Sequence, residues 1–372
     1  MTFHSKLQFL SILLVFCSSI ITNAQNLDFE RIIEHANRTP YDVVNSTGKL
    51  SNYLVSPYSN DMEKFASIYY WVAKNIKYDN EMAKSPRQYL EMKEVVDEVM
   101  KSKSGVCQHF AELFAELSRL AGLNVYVVDG YTLENGKIAN MSHAWNLIKI
   151  RETWYFIDAT WANAYIVSKG KNYFPKEYFM IKPNENIKTH MPFDPIWQIQ
   201  PSPLKYDEFD AGNFDAEKEI FNYNDSISNY LTANFIDQQK ATIRRMKSNG
   251  AFNTLVKKEF GLKVKNLKTS IENQEILKYN DGIKDYNNGL GYLNHYIKLR
   301  NNKFKDKKFG KNALLGLLDS ASVNLQKAEN IFSTIMIEDV ALKHQVKENA
   351  LNITKSKAII SKERDFVKQA LK

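Results

Sequence analysis

The spacing of apolar residues changes twice along this chain, and that change limits the folds it can adopt. Up to Gly122 apolar residues recur at helical spacing, as in the run from Phe65 to Ile76. From Leu123 to Ala159 they follow the shorter period of β-strands. After Asp215 the chain has no proline, few glycines and long helical patterns. Helices followed by consecutive strands predict an α+β domain with helices packed on an antiparallel sheet, and the remainder predicts an all-α domain.

The pattern also predicts individual elements. Helices are expected over residues 27–37, 61–77, 87–101 and 107–121, with Asp61 as a cap and Gly122 as a stop signal. Strands are expected over residues 123–132, 143–150 and 154–159, and residues 173–181 are expected to add another. A turn centred near residue 152 would pair the second and third strands, so that partner numbers sum to about 304.

Length and composition indicate two globular domains. Hydrophobic residues make up 44% of the chain and charged residues 25%, as in ordinary soluble domains. A chain of 372 residues is too long for one typical core. Residues 201–212, which begin Pro-Ser-Pro and end in glycine, have the composition of a linker. We therefore predict a signal peptide at 1–24, a mixed domain at 25–210 and a helical domain at 211–372.

The first residues have the pattern of an export signal. Lys6 precedes an apolar stretch over residues 7–21, and Thr-Asn-Ala precedes a predicted cleavage after Ala24. Two alternatives rank lower: a membrane anchor, for which the stretch is short, and a lipoprotein cleaved before Cys17, where bulky Phe16 replaces the small residue needed. The sequence predicts a periplasmic or secreted protein without a membrane span after processing.

Charge differs between the two predicted domains. Residues 25–210 carry a net charge of −3, whereas residues 211–372 carry 28 basic against 18 acidic side chains, a net charge of +10. The basic half could bind an acidic or envelope partner, although a solvated lysine-rich surface is the simpler interpretation. A lysine cluster at 303–311 is interleaved with Phe304 and Phe309. Because the chain is predicted to be exported and the cluster stands alone, we expect no nucleic-acid binding.

One cysteine would remain after processing, and its surroundings are those of a reactive thiol. Cys107 follows Gly105-Val106 and opens a strongly amphipathic run that ends at Leu120. A thiol at a helix N-terminus lies near free N–H groups and the positive end of the helix dipole, which favour thiolate. With Cys17 removed, no intramolecular disulfide is available. A buried inert thiol is the alternative for Cys107 considered alone.

A histidine and an aspartate follow on the predicted hairpin. His143 and Asp158 sum to 301, which makes them diagonal neighbours within reach of each other. Asp158 would accept a hydrogen bond from one imidazole nitrogen and leave the other to face the thiol. Taken singly, His143 could be a core residue and Asp158 a helix cap. Together with Cys107 they are the components of thiol acyl-transfer chemistry.

Other polar residues have weaker patterns. His109 lies two residues after Cys107 and should point away from it, so it is not the predicted base. Glu112 and Glu116 are expected to be a solvated pair. The histidines are scattered without metal-ligand spacing and there is no glycine-rich phosphate loop. We therefore expect neither a metal site nor a cofactor.

The amino-acid sequences of three segments resemble those of the transglutaminase-like superfamily, and within it those of the kyphoscoliosis-peptidase branch. These segments are Gly105-Val106-Cys107, Ser142-His143-Ala144-Trp145-Asn146 and Trp154 to Trp161. Residues 71–79 and 190–198 resemble that branch's upstream helix and closing segment. The resemblance covers roughly residues 60–200. It implies a papain-like α+β fold in which Cys107 is the nucleophile, His143 the base and Asp158 its orienting residue.

The resemblance also implies an activity and leaves parts of it open. A protein or peptide amide would acylate Cys107, and water or an amine would resolve the acyl-enzyme. We expect hydrolysis, with amine transfer or a catalytically silent binding module as alternatives. Gln108 stands where eukaryotic transglutaminases have an aromatic residue, and it does not lie before the cysteine as a papain-type oxyanion glutamine does. The oxyanion donors are unassigned, with the Cys107 backbone N–H as the default candidate.

Overall fold

The computed structural model describes residues 27–84, 92–214, 221–305 and 309–370. They form two compact units. The first comprises residues up to 233 together with 241–259, and the second comprises 234–240 and the residues from 260 onward. The predicted signal peptide lies outside the described residues. The division at residue 210 into independently folding domains remains a prediction, since the first unit draws in later segments.

Helices come first in the first unit, as the periodicity predicts. They are α1 (Phe29–Asn37), α2 (Thr47–Val55), α3 (Asp61–Asn75), α4 (Asn80–Lys84), α5 (Met92–Ser102) and α6 (Cys107–Leu120). The side chain of Asn60 accepts a hydrogen bond from the Glu63 N–H, so Asn60 caps α3 in place of the expected Asp61. The fold class, an α+β core with a helical region after it, is confirmed.

The strands of the described residues follow the helices or lie between them: β1 (Lys77–Tyr78), β2 (Ser104–Gly105), β3 (Asn124–Glu134), β4 (Lys137–Ile138), β5 (His143–Ile150), β6 (Thr153–Ile157) and β7 (His190–Pro192). The main sheet is antiparallel in the order β4-β3-β5-β6, with β7 also paired to β3. In the β5–β6 hairpin Ile150 faces Thr153, so partner numbers sum to one less than the expected 304. Short β1 and β2 pair in parallel.

Each face of the main sheet is covered by an apolar core. On one side α1, α2, α3 and α6 pack around buried aromatic residues, with Ile148 and Ile157 contributed by the sheet. On the other side Trp145 and Leu147 pack with Ile196 and Ile227. Alternation along β5 therefore sends successive side chains to different cores, and both faces of the sheet are buried.

Two expectations for the end of the mixed domain are wrong. Residues 173–181 do not form a strand: they contain a 3₁₀ turn at Lys176–Tyr178 and a single bridge from Ile181 to Phe156. Residues 201–212 do not behave as a linker. They contain α9 (Tyr206–Asp210), and Leu204, Tyr206 and Phe209 are buried. The prolines that suggested a linker precede an apolar segment whose side chains are buried.

The remaining helices of the described residues follow β6. They are α7 (Ala159–Lys169), α8 (Pro183–Asn186), α10 (Tyr223–Thr232), α11 (Phe235–Ser248), α12 (Thr254–Asn301), α13 (Lys311–Ser333) and α14 (Val340–Ala370). The second unit buries its own core, in which Leu318 and Leu325 of α13 meet Tyr296 of α12 and Ile353 of α14. Within the described residues, no helix has the length and apolarity needed to cross a membrane.

Candidate active site

Cys107 is the first residue of α6, at the point where the chain leaves β2. Its side chain is partly exposed and forms no disulfide. The parallel pairing of Tyr78 with Gly105 places β1 beside the turn that precedes the cysteine. Asn146 of β5 donates a 3.0 Å hydrogen bond to the Ala111 carbonyl, which ties α6 to the sheet. The thiol therefore sits at a helix N-terminus held against both sheets.

His109 has a local role that sequence reasoning missed. Its Nδ1 accepts a 3.2 Å hydrogen bond from the Val106 backbone N–H, and its Nε2 lies 3.4 Å from the Glu98 carboxylate. A Cβ at position 105 would come within 2.4 Å of the His109 ring, so only glycine fits there. His109 thus fixes the turn before Cys107. Its ring nitrogens are both engaged away from the thiol, consistent with the expectation that it is not the base.

His143 and Asp158 lie directly beside each other. Nε2 of His143 is 2.7 Å from Oδ2 of Asp158, and both side chains are at least nine-tenths buried. The Cys107 thiol lies near enough to the same imidazole to contribute to the raised pKa of His143. Because Nε2 faces Asp158, Nδ1 is the nitrogen left for the thiol. The structure thus brings Cys107, His143 and Asp158 together in a row.

Asp158 is oriented by the helix that follows it. Its Oδ1 accepts hydrogen bonds from the backbone N–H groups of Thr160 at 2.9 Å and Trp161 at 3.0 Å, so it is the N-cap of α7. The alternative considered for Asp158, a helix cap, and the triad hypothesis are therefore compatible. The cap holds one oxygen while the other remains turned toward His143.

The charges of this group stabilise one another. Burial alone would lower the pKa of His143, but the charge and hydrogen bond of Asp158, with a further contribution from Cys107, raise it to about 10. Burial alone would raise the pKa of Asp158, whereas the charge and hydrogen bond of His143, with the hydrogen bond of His190, hold it well below its usual value. An imidazolium beside a thiol is the arrangement that stabilises a thiolate at neutral pH.

A second histidine, His190 of β7, completes the group and was not predicted as a site residue. Its Nε2 lies 3.2 Å from Oδ2 of Asp158, and its side chain is 1% exposed. The ring of Trp161 lies against both imidazoles, 5.7 Å from His143 and 4.5 Å from His190 between ring centroids. The only signal in the sequence was its place in the closing segment that resembles the kyphoscoliosis-peptidase branch.

The fold therefore gathers two histidines that looked scattered along the chain. One atom each from His143, Asp158 and His190 lies within 4.8 Å of the other two, a spacing that could also hold a metal ion. Each imidazole already has Oδ2 of Asp158 as a partner, at 2.7 and 3.2 Å. Hydrogen bonds among the three account for this arrangement.

The expectation that Glu112 is solvated is wrong. Glu112 lies on α6, and its Oε2 atom is buried without a hydrogen-bond partner among the described residues. Burial is the main cause that raises the pKa of Glu112 to about 7, with Arg119 opposing and Asp129 and Glu116 reinforcing the shift. The helical i, i+4 spacing with Glu116 gave no sign of this burial, because spacing along a helix does not show what packs on it.

Comparison with known proteins agrees with this geometry. Residues 48–159 match the model of the transglutaminase-like superfamily. The chain is 25% identical over 204 residues to the kyphoscoliosis peptidase of Mus musculus, 27% over 172 residues to that of Homo sapiens, and 27% over 195 residues to cytokinesis protein 3 of Schizosaccharomyces pombe. These alignments cover 52%, 44% and 49% of this chain but only 30%, 25% and 21% of those proteins.

Solved structures with similar folds are more distant. A protein described as a putative cysteine protease from Cytophaga hutchinsonii is 24% identical, with 36% of this chain and 43% of that chain covered and a TM-score of 0.26. The periplasmic domain of TgpA from Pseudomonas aeruginosa is 20% identical, with 38% and 51% covered and a TM-score of 0.27. Scores this low support no inference about function. On the family match and the curated relatives, residues 48–159 of the first unit match a transglutaminase-like domain.

Proposed function

We propose that the first unit is a thiol-dependent acyl-transfer enzyme that acts on protein or peptide amides. The observation that carries this proposal is the row formed by the Cys107 thiol, the His143 imidazole and the Asp158 carboxylate, with 2.7 Å between His143 Nε2 and Asp158 Oδ2. A domain of the transglutaminase-like superfamily fits this chemistry. Fold membership by itself does not establish an activity, so the proposal rests on the side chains.

In the first half of the reaction, the Cys107 sulfur attacks the amide carbonyl carbon. The carbonyl oxygen becomes an oxyanion, and the His143 imidazolium then donates its Nδ1 proton to the departing nitrogen. The C–N bond breaks, an amine or ammonia leaves, and a thioester remains on Cys107. Asp158 keeps Nε2 protonated and stabilises the positive charge on the ring.

In the second half, neutral His143 accepts a proton from the attacking molecule, and the C–S bond breaks to restore the thiolate. Water gives a carboxylate and a primary amine gives a new amide. We propose hydrolysis, because water is present at far higher concentration than any amine. Amine transfer would make the same site a protein cross-linking centre, and the two outcomes are separated by the product.

The oxyanion donors are also part of the proposal. The Cys107 backbone N–H lies at the first position of α6, where helical N–H groups have no intrahelical partner. Tyr78 is the second candidate: its register partner is Gly105, and its ring packs 6.4 Å from that of Phe110 in α6. Burial raises the pKa of Tyr78 and the neighbouring Cys107 adds to this, so its hydroxyl stays a donor.

Export and a partner for the basic half remain proposals as well. Export rests on residues 1–24, which lie outside the described residues. The net charge of +10 over residues 211–372 fits an acidic or envelope partner and assigns none by name.

The test begins with the thiol, because no substrate is needed. Iodoacetamide labelling of Cys107, followed by mass spectrometry, should be rapid at pH 6 as well as pH 8, and His143→Ala should slow labelling at pH 6 by about tenfold or more. His344→Ala is the matched control, since that exposed histidine lies on α14. Peptide libraries with and without a primary amine then identify the product. Equal behaviour of wild type and Cys107→Ala on every library would replace this proposal with a binding module.

A further inference from the structure

His190 occupies a position from which it can control Asp158. β3 pairs with β5 on one side and with β7 on the other, and Gly130 is the residue opposite both His143 and Pro192. A Cβ at Gly130 would come within 2.4 Å of the Trp145 ring and 2.2 Å of the Met191 carbonyl oxygen. Glycine therefore lets three strands and the Trp145 ring meet where the two histidines approach Asp158.

Oδ2 of Asp158 is shared between the two imidazoles. It lies 2.7 Å from His143 Nε2 and 3.2 Å from His190 Nε2, while Oδ1 accepts the two backbone N–H groups of α7. The carboxylate therefore has four donors if His190 carries its proton on Nε2. Four donors leave the carboxylate no free direction in which to rotate, which fixes Oδ2 on His143.

The tautomer of His190 follows from the carboxylate that faces its Nε2. Nδ1 lies 2.8 Å from the Thr189 hydroxyl, which can donate to it or to the Asn186 carbonyl oxygen at 3.4 Å. A proton on Nε2 then faces the carboxylate, whereas the opposite tautomer would place a lone pair against a negative charge. Burial lowers the pKa of His190, and the charge of His143 lowers it further against the opposing effect of Asp158. His190 is thus a neutral donor beside a charged one.

We propose that His190 is a positioning residue of the proposed triad: its neutral imidazole donates Nε2–H to Asp158, holds that carboxylate ionised and keeps it turned toward His143. This inference rests on the proposed function. Removing the donor should raise the pKa of Asp158, because the hydrogen bond from His190 is among the causes that lower it. Asp158 would then protonate at higher pH and cease to stabilise the His143 imidazolium, so the thiolate would be lost at higher pH too.

Other titratable side chains near Asp158 lie on the elements packed around it. Among the described residues, none of them takes the place of the His190 donor. They are His143 on β5, Cys107 on α6 through His143, Tyr69 on α3, Tyr78 on β1 and Tyr178 of the 3₁₀ turn. The three tyrosines have raised pKa values, chiefly through burial, and stay neutral across the acid range. The acid limb of thiol reactivity should therefore report on Asp158, His143 and His190.

The experiment measures Cys107 alkylation rates from pH 4 to pH 8 in the full chain. In His190→Leu, the midpoint of the acid limb should move to higher pH by about half a unit or more. In His190→Gln, whose side-chain amide can occupy the Nε2 donor position, the midpoint should stay near that of wild type. A change in both variants equally, or in neither, would assign His190 a packing role and overturn the proposal.

Two further arms keep the result interpretable. If His190→Leu does not fold, Thr189→Val removes the hydroxyl hydrogen-bonded to Nδ1 of His190 and should give a smaller shift in the same direction, and no shift there would contradict the proposal. EDTA should change nothing, whereas an EDTA-sensitive rate would mean that the cluster holds a metal. If His143→Ala leaves labelling unchanged, the proposed function fails; if His143→Ala slows it but His190→Leu shifts nothing, only this inference fails.

Discussion

Two buried aspartates in the first unit accept similar backbone hydrogen bonds but have different side-chain partners. Asp158 and Asp194 each accept a backbone hydrogen bond from two residues ahead, from Thr160 and Ile196. Asp158 turns its other oxygen to imidazoles, whereas Asp194 binds the Arg245 guanidinium through both oxygens, at 2.7 and 2.6 Å.

The partners decide what each carboxylate can do. Arginine keeps its charge at every pH at which the protein is folded, so the Asp194–Arg245 pair is a fixed contact that joins α11 to the segment after β7. Imidazoles gain and lose protons near neutrality, so the charge around Asp158 can change during a reaction. The comparison therefore fits the role proposed for Asp158 in the triad and an attachment role for Asp194.

The largest expected effect is on turnover and distinguishes the two aspartates. Asp158→Asn should lower the turnover number by on the order of 10²- to 10⁴-fold, because the imidazolium loses its counter-charge and its fixed tautomer. Asp194→Asn should leave turnover of the folded protein close to wild type. Steady-state kinetics on a substrate found by library screening measures both. Equal losses would show that the two sites do not differ as proposed.

A truncation should show how much the contacts made by residues 241–259, including Arg245, stabilise the first unit. Residues 241–259 belong to the first unit: Thr242 donates a 2.6 Å hydrogen bond to Asp194, and Phe252 packs 5.9 Å from Tyr206 between ring centroids. A fragment of residues 25–210 lacks Thr242 and Arg245, so Asp194 loses both of these side-chain partners. We expect it to unfold at lower urea concentration than a fragment of residues 25–259. Coincident unfolding curves would support the sequence-based boundary at residue 210.

The same attachment can be weakened by one substitution. Asp194→Asn leaves the Arg245 charge without its counter-charge, which we expect to cost about 2 kcal/mol of unfolding free energy, less than the ~3–5 for a wholly buried pair. The reduction follows because the Arg245 side chain is 21% exposed. Urea unfolding measures it, and Lys240→Ala, in an exposed ion pair with Asp237, is the control expected to cost little.

The sequence allowed prediction of the parts of this fold that depend on local pattern. The strand His143–Ile150 has the expected bounds, and the helix that Cys107 opens ends within one residue of its prediction. Cys107, His143 and Asp158 were proposed from residue type and spacing. Partners from distant segments were not predicted, because no periodicity marks them: His190 is 32 residues from Asp158, and Arg245 is 51 residues from Asp194.

The pH dependence of stability should report on the pairing of Asp158 with His143. Since Asp158 has a lowered pKa in the folded state, its contribution is present above its unfolded value of ~3.9 and is lost as pH falls below that. Since the pKa of His143 is raised to about 10, its contribution is complete below ~6.5 and is lost as pH rises from there toward about 10.

Thermal unfolding from pH 3 to pH 10 measures both limbs. His143→Ala should remove the His143 contribution to the alkaline limb and should shrink the acid limb, because Asp158 loses its main counter-charge and its folded pKa rises toward the unfolded value. A profile of unchanged shape in His143→Ala would contradict the linkage between His143 and Asp158.

Glu112 supplies the smallest test, because its Oε2 atom is buried without a hydrogen-bond partner in the described part of the chain. Its pKa is raised to about 7, chiefly by burial, so folding is penalised as pH rises from its unfolded value of ~4.3 through about 7. Glu112→Gln removes that charge and should raise the unfolding free energy at pH 8 by about 1–2 kcal/mol, with no gain at pH 4. Glu116→Gln is the control on the same helix. Cys107 alkylation should not change, because Glu112 is not among the residues hydrogen-bonded to the proposed triad. A gain of equal size at pH 4 would mean that packing, and not the charge of Glu112, causes the change in unfolding free energy.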